Sequence, residues 1–431
     1  MPSSAAHPRE GDGSPSPAHD YSAEAEALAQ FFDFTRDDVA ASMADCARLA
    51  EREPRNRVAW FIPHAASPFS GGIHTVLRVA NYLFTTLGVA QVVCVTGSPD
   101  AAATRAMIAR AYPALAAAAE IVVLERIGLV PDLGPLDAAI ATFWMTSLSL
   151  LLLRNVQRKY CLLQDWEPEF YPAGSTSSLV EGSYRFGFHA ICGSLSLAEA
   201  YRALGGTAEH FDYAVDPALF HARRPSRAPE APWRLFCYGR PAVPRNCYEL
   251  AAAALRDIKG HLGDRIDIVL AGGDWDPAAH GLAGTVRNLG MIPHDGMADV
   301  YRAADVAICL TASRNPSIVM LELMACGTPV VTIRNHHHTW LPAGSDVAFE
   351  CDASRSEIAN TAMTVLQDAP LRQAHVSRGL AVIAERFSDW TPTCARIARA
   401  IMQPPTASRA LHARTPAEVR RQRSSHTLDC Q

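Results

Sequence analysis

Short apolar runs alternate with longer stretches of helical spacing, and the alternation comes in two separate blocks. The first block opens with Val58-Ala59-Trp60-Phe61-Ile62, bounded by polar residues and a proline, as expected of a strand buried in a parallel sheet. The loop SPFSGG follows, then helical spacing over 73–87 and a second apolar run over 89–95. Further strand-like runs lie at 120–124, 138–142, 160–163 and 189–192, with helical stretches between them. The second block has strand-like runs at 235–238, 266–271, 306–310 and 329–333, and helical spacing over 357–366 and 371–386. Strand–helix–strand repetition requires a parallel sheet covered on both faces. The expected fold is therefore α/β: two Rossmann-like, doubly wound parallel-sheet domains facing a cleft.

The break between the blocks is HARRPSRAPEAPW, with three prolines, three arginines and few large apolar residues, which reads as a linker over 221–233. A disordered lead is expected over 1–20 and an N-terminal domain with a helical extension over 21–220. A C-terminal domain with closing helices follows over 234–403, then a polar, basic, flexible tail over 404–431. At 431 residues the chain has room for two such domains. Its 39 basic and 44 acidic residues lack the basic surplus of a general nucleic-acid binder. The eleven cysteines form no Cys-x-x-Cys pair, and Cys94, Cys161, Cys192, Cys237 and Cys309 fall in strand-like runs. Scattered thiols of this kind fit a reducing compartment. The lead has no apolar core of the signal-peptide kind. The longest apolar run, 145–153, is shorter than the ~20 residues of a spanning helix. A cytoplasmic protein is expected, with peripheral contact at the inner membrane face compatible with the sequence; the oligomeric state is not legible.

Two constellations carry chemistry. In Tyr238-Gly239-Arg240-Pro241-Ala242-Val243-Pro244-Arg245-Asn246 a strand ends near Gly239, and Asn246 with Glu249 has capping-box spacing for a helix near Cys247. Arg240 and Arg245 thus fall in a strand-to-helix loop at the carboxyl edge of a sheet, where open α/β sheets bind ligands, and two guanidiniums suit a diphosphate. The second constellation runs from Ser313 through Pro329. Asn315 suits the N-cap of a helix, Pro316 its first position and Gly327 its stop. The first amides, at Ser317 and Ile318, would be free for an anion. Glu322, one turn on, leans back toward that end, where a ribose hydroxyl is a better partner than phosphate.

In the first block Gly71 and Gly72 permit close approach of backbone to a ligand. Gln164-Asp165-Trp166-Glu167-Pro168-Glu169-Phe170-Tyr171-Pro172 follows a strand and offers carboxylates and aromatics suited to a sugar. Asp165 and Glu167 are the candidates for orienting or deprotonating an acceptor. Asp274-x-Asp276 and His336-His337-His338 are poorly placed for a metal, and no metal site is expected. The Gly-Gly loop lacks Gly-x-Gly-x-x-Gly, which argues against a dehydrogenase.

These motifs resemble family 4 glycosyltransferases, which have the GT-B fold. The resemblance covers roughly 57–400 and rests on three features. They are Gly71-Gly72, the Arg240/Arg245 pair, and Leu-Glu-x-Met-Ala-x-Gly-x-Pro-Val from Leu321 to Val330. It implies that Met291 and Ile292 lie in a segment whose backbone meets the nucleobase, and that transfer retains anomeric configuration. The family's first glutamate, eight residues before Glu322, is replaced by Arg314. Tyr-Gly-Arg-Pro, Pro-Arg-Asn, Asn-Pro-Ser and Gln-Asp-Trp-Glu-Pro are closer to WsaF-type rhamnosyltransferases, which implies dTDP-L-rhamnose as donor. The expected activity is metal-independent glycosyl transfer, without a cofactor, from a nucleotide sugar to a saccharide or lipid-linked glycan acceptor held by the N-terminal domain. Alternatives are another nucleotide sugar, an epimerase or phosphorylase of the same fold, and a catalytically silent sugar-nucleotide scaffold.

Overall fold

The computed structural model describes residues 21–223, 230–338 and 346–403. The expected lead, the tail and part of the linker lie outside the described residues.

Seven parallel strands form the first sheet: β1 (Arg57–Pro63), β2 (Ala90–Thr96), β3 (Glu120–Leu124), β4 (Leu136–Ala141), β5 (Val156–Leu163), β6 (His189–Cys192) and β7 (Thr207–His210). Their order is β3-β2-β1-β4-β5-β6-β7. The second sheet has six parallel strands: β8 (Trp233–Tyr238), β9 (Ile266–Ala271), β10 (Arg287–Asn288), β11 (Val306–Ile308), β12 (Val330–Ile333) and β13 (Phe349–Cys351). Their order is β10-β9-β8-β11-β12-β13. Each sheet is doubly wound, with its order reversing between β1 and β4 and between β8 and β11. The central strands are buried on both faces, as their unbroken apolar runs require. Three strands escape the sequence reading: Thr-Ala-Glu-His of β7, Arg-Asn of β10 and Phe-Glu-Cys of β13. All three lie at sheet edges, where half-exposure replaces the apolar run with mixed residues.

Two helices, Tyr21–Phe31 and Arg36–Leu49, precede the first sheet and pack on its domain. Phe32 meets Trp144 at 4.9 Å between ring centroids. The buried Lys159 ammonium donates to Ser42 Oγ and to the carbonyls of Leu151 and Leu153. The chain passes to the second domain after β7 and returns through the turn Ile383–Phe387 into the helix Trp390–Met402. That helix packs against Gly71–Leu87 of the first domain. The two crossings are hydrogen-bonded, Val215 N to Phe387 O at 2.7 Å. Apolar packing is continuous from Trp60 and Tyr160 through Tyr213 and Phe220 to Phe236 and Met320.

The five cysteines singled out above are buried free thiols. No helix among the described residues is long and apolar enough to cross a membrane.

Candidate active site

In the second sheet the order reverses between β8 and β11, and the loops leaving the carboxyl ends of these two strands hold the predicted cationic residues. The first begins at Gly239 and carries Arg240 and Arg245; the second carries Ser313, Arg314 and Asn315. A backbone bond, Ala312 N to Arg245 O at 2.8 Å, ties them together. Arg240 approaches the Tyr238 phenol, whose ionisation burial opposes and the guanidinium assists. Gly272, at the end of β9, has φ +119°, and a Cβ there would stand 3.1 Å from the Arg240 side chain. Glycine at 272 therefore leaves the arginine its place.

Two helix starts differ from the expected caps. The helix after Arg245 runs over Tyr248–Leu262, and Cys247, at φ +48°, precedes it without a side-chain cap. Pro244–Asn246 turns as a 3-10 helix instead, so the Asn246/Glu249 capping box does not form. The second helix spans Ile318–Ala325, with Ser317 rather than Asn315 at its N-cap. Asn315 is buried because its amide Nδ2 donates to the Tyr213 hydroxyl at 3.2 Å across the domain boundary. Its Oδ1 has no protein donor among the described residues. Ser317 makes no side-chain cap, so the first amides of Ile318–Ala325 keep their donors for a ligand at the sheet's carboxyl edge. Gly327, at φ +72°, stops the helix as expected. Glu322 is 8% exposed and accepts the Tyr301 hydroxyl at 3.4 Å. Burial pushes its carboxyl up to about 8.

The loop Leu289–Ile292 follows β10, and Gly290 (φ +69°) accepts Gly272 N at 3.1 Å. Met291 is 54% exposed, but its amide donates to Asp274 Oδ1 at 2.9 Å. Asp274 thus shapes this loop. Asp276 accepts Ala278 N at 2.9 Å and starts a 3-10 turn.

From the first domain, Gly71 and Gly72 open the helix Gly71–Leu87 after the uncapped Ser70. A Cβ at Gly71 would meet nothing within 4 Å, whereas one at Gly72 would stand 3.2 Å from Gln164 Nε2. Gln164 donates to Gly72 O at 2.9 Å and accepts the Tyr213 hydroxyl at 3.4 Å. Tyr213 thereby links the glycine loop to Asn315.

The loop after β5 reaches the two arginine-bearing loops directly. Asp165 Oδ2 accepts Ser313 Oγ at 2.9 Å and stands 3.2 Å from Arg245 Nε, while its Oδ1 accepts Trp166 N at 2.9 Å. The Arg245 guanidinium lies 4.3 Å from the Phe170 ring centroid. Arg314 donates through Nε and Nη2 to Glu169 Oε1, at 3.0 and 2.6 Å, and lies 5.4 Å from the Trp166 ring centroid. Burial raises the Asp165 carboxyl, and Arg245 works against the rise.

Glu167 does not join this group, contrary to the acceptor role expected of it. It is 5% exposed and points into the first domain, accepting Trp144 N at 3.0 Å and the Tyr184 hydroxyl at 3.3 Å. Its burial lifts the carboxyl to about 8. The residues Glu167–Phe170 form a 3-10 turn, within which Glu169 faces the other domain and Glu167 the core. Glu169, Phe170, Ser313 and Tyr213 join the site without having been singled out. The first two lie inside the quoted aromatic-acidic motif; Tyr213 carries no local signal.

Two parallel α/β domains whose carboxyl-edge loops meet, with arginines and an uncapped helix end on one side, define the GT-B architecture. Residues 233–362 match the family described as WsaF, C-terminal domain. The O-antigen biosynthesis protein RfbC of Myxococcus xanthus is 36% identical over 317 residues, covering 72% of this chain and 24% of that one. A D-inositol 3-phosphate glycosyltransferase 2 of Catenulispora acidiphila is 34% identical over 119 residues, 27% of each chain. The chain thus spans about a quarter of the length of these curated relatives. The crystal structure of HepE from Anabaena with UDP and glucose superposes at a TM-score of 0.60 with 17% identity, covering 79% of this chain and 98% of that one. The chain has the GT-B glycosyltransferase fold and resembles the WsaF type.

Proposed function

We propose that this chain is a nucleotide-sugar-dependent glycosyltransferase of cell-surface glycan assembly, with dTDP-L-rhamnose as donor. The observation that carries the reading is the convergence of Arg240, Arg245 and the uncapped end of Ile318–Ala325 where the second sheet's order reverses, opposite the carboxyl edge of the first. The arginines and the amides of Ser317 and Ile318 hold the diphosphate. Glu322 accepts a ribose hydroxyl. Its buried carboxylate has Tyr301 beside it, and a second donor supports ionisation there. The Met291–Ile292 backbone faces the base, with the Met291 amide already engaged by Asp274. Gly71 leaves backbone open to the donor.

In the reaction the bond from sugar C1 to the diphosphate oxygen breaks as the acceptor hydroxyl oxygen bonds to C1. The electron pair leaves on the diphosphate, and the hydroxyl proton passes to a base. The cations and helix dipole stabilise the leaving group, so transfer proceeds without a metal or cofactor. Transfer retains anomeric configuration, and the acceptor is a saccharide or lipid-linked glycan at the cytoplasmic face of the membrane. Arg314 favours a 6-deoxy sugar, because a guanidinium accepts no hydrogen bond from a sugar hydroxyl. A panel of dTDP-L-rhamnose, UDP-glucose and GDP-mannose with a rhamnan-type acceptor, run in EDTA, tests each part. Rhamnosyl transfer in chelator is expected. Use of UDP-glucose or GDP-mannose instead overturns the donor, and rescue only by Mg²⁺ overturns the metal-free chemistry.

A further inference from the structure

The anion-binding loops of the second domain already hold an anion. Asp165, from the first domain, places one carboxylate oxygen between Ser313 Oγ and Arg245 Nε. Its side chain is 16% exposed, and the arginine it meets is braced on Phe170 from the same loop. A diphosphate on Arg245 would put its charge beside this carboxylate, and the two compete for one guanidinium.

We infer that Asp165 is a resident counter-anion of the donor site, displaced from Arg245 and Ser313 by the donor diphosphate and thereby released toward the acceptor. The inference rests on the diphosphate reading of Arg245 given above. It imposes an order on the reaction. While the cleft is empty, Asp165 Oδ2 is occupied by Ser313 and Arg245, and the guanidinium works against the basicity that burial gives the carboxyl. Once the diphosphate has taken the arginine, the carboxylate loses its counter-charge and gains basicity, since removing a nearby cation favours the protonated form. The donor therefore binds first, and an acceptor hydroxyl finds its hydrogen-bond acceptor only afterwards. The ring of Phe170 keeps Arg245 in place during the exchange, because a cation–aromatic contact does not depend on the carboxylate.

The test is calorimetric titration of the full chain with inorganic pyrophosphate, UDP and dTDP, comparing wild type with Asp165→Asn and Asp165→Ser. Removing the resident charge should tighten binding about two- to fivefold, the scale of an ion pair whose arginine is open to solvent. Glycosyl transfer should fall in the same variants. Thermal unfolding verifies that each variant folds, and either one alone suffices. Unchanged or weaker binding in the variants, with wild type still binding a probe, overturns the displacement and leaves the diphosphate site standing. Failure of wild type to bind any of the three probes overturns the diphosphate reading and this inference with it.

Discussion

The two sheets are wound alike but differ in charge where their orders reverse. Residues 239–247 and 309–317, which flank the reversal in the second sheet, contain Arg240, Arg245 and Arg314 and no acid. In the first sheet, 64–72 and 142–146 contain no lysine or arginine, and 164–172 adds Asp165, Glu167 and Glu169. Topology alone thus selects where a ligand goes in each domain but not its charge. The loops set the charge, and they set it oppositely. On the proposed function, the division suits an anionic donor at the second domain and a neutral acceptor at the first. It also lets the empty faces bind one another, through Asp165 to Arg245 and Glu169 to Arg314.

The comparison breaks most readily at the arginines. Arg240→Ala and Arg245→Ala should each weaken nucleoside-diphosphate binding about ten- to hundredfold, since hydrogen bonds to charged groups are worth roughly 1.5–3 kcal/mol. Thermal unfolding should barely move for Arg240→Ala, which lies in a loop, and should fall modestly for Arg245→Ala, which also breaks the Asp165 pair and the Phe170 contact. Calorimetry with UDP and dTDP reads the loss. Affinities equal to wild type in both variants would remove the anion site from the second domain and the contrast with it.

A smaller effect sharpens the contrast through two buried glutamates, one in each domain. Burial lifts both Glu167 and Glu322 to about 8, so the folded protein keeps protons that the unfolded chain releases near the ordinary value of 4.5. Stability from these groups is complete below 4.5 and is lost as pH rises through 8. His74 is lowered to about 3 and His294 is lowered too, both chiefly by burial, and they act in the opposite sense below pH 6.5. The clean window is therefore pH 6.5 to 8, where wild type should lose stability on denaturant titration. Glu167→Gln and Glu322→Gln should each recover about 1–2 kcal/mol of that loss, a discounted share of the shift. Only Glu322→Gln should also weaken nucleotide binding. Equal nucleotide affinities in the two variants would take Glu322 out of the donor site.

How far all this could be read in advance depended on the range over which a residue's partners lie. Central strands such as β1 and β4 are buried on both faces and leave unbroken apolar runs, so their places were legible. The edge strands β7, β10 and β13 leave no such run. Arg240 and Arg245 were legible because their loop follows a readable strand. The partners that complete the site lie far off in sequence: Ser313 meets Asp165 from 148 positions away and Arg314 meets Glu169 from 145. No local pattern encodes such pairs. Glu167 departs from the expected role for a local reason. It shares a motif with Asp165 and Glu169, but the 3-10 turn gives it the opposite direction. Asn315 likewise suited a cap, and a bond to Tyr213 from 102 positions away claimed it.

The smallest expected change in stability tests the acceptor-side face itself. Gly71 begins the helix Gly71–Leu87 in a conformation open to any residue, and a Cβ there meets nothing within 4 Å. Nothing in the fold demands glycine at this position. Replacing glycine by alanine at a compatible helical site reduces unfolded-state entropy and stabilises by about 0.4–1 kcal/mol. Gly71→Ala should therefore keep or slightly raise the unfolding midpoint. Gly72 is a different case, because a methyl there would press on Gln164 and disturb its bond to the Gly72 carbonyl. If the backbone at 71 is open in order to admit the donor, the added methyl should lower kcat/KM while stability holds, and nucleotide-diphosphate affinity should change less than turnover. That split places the obstruction at the transferred sugar rather than at the diphosphate held by the other domain. Full activity in Gly71→Ala would mean that the first domain's glycine loop gives the donor no backbone contact, leaving donor recognition wholly to the basic face.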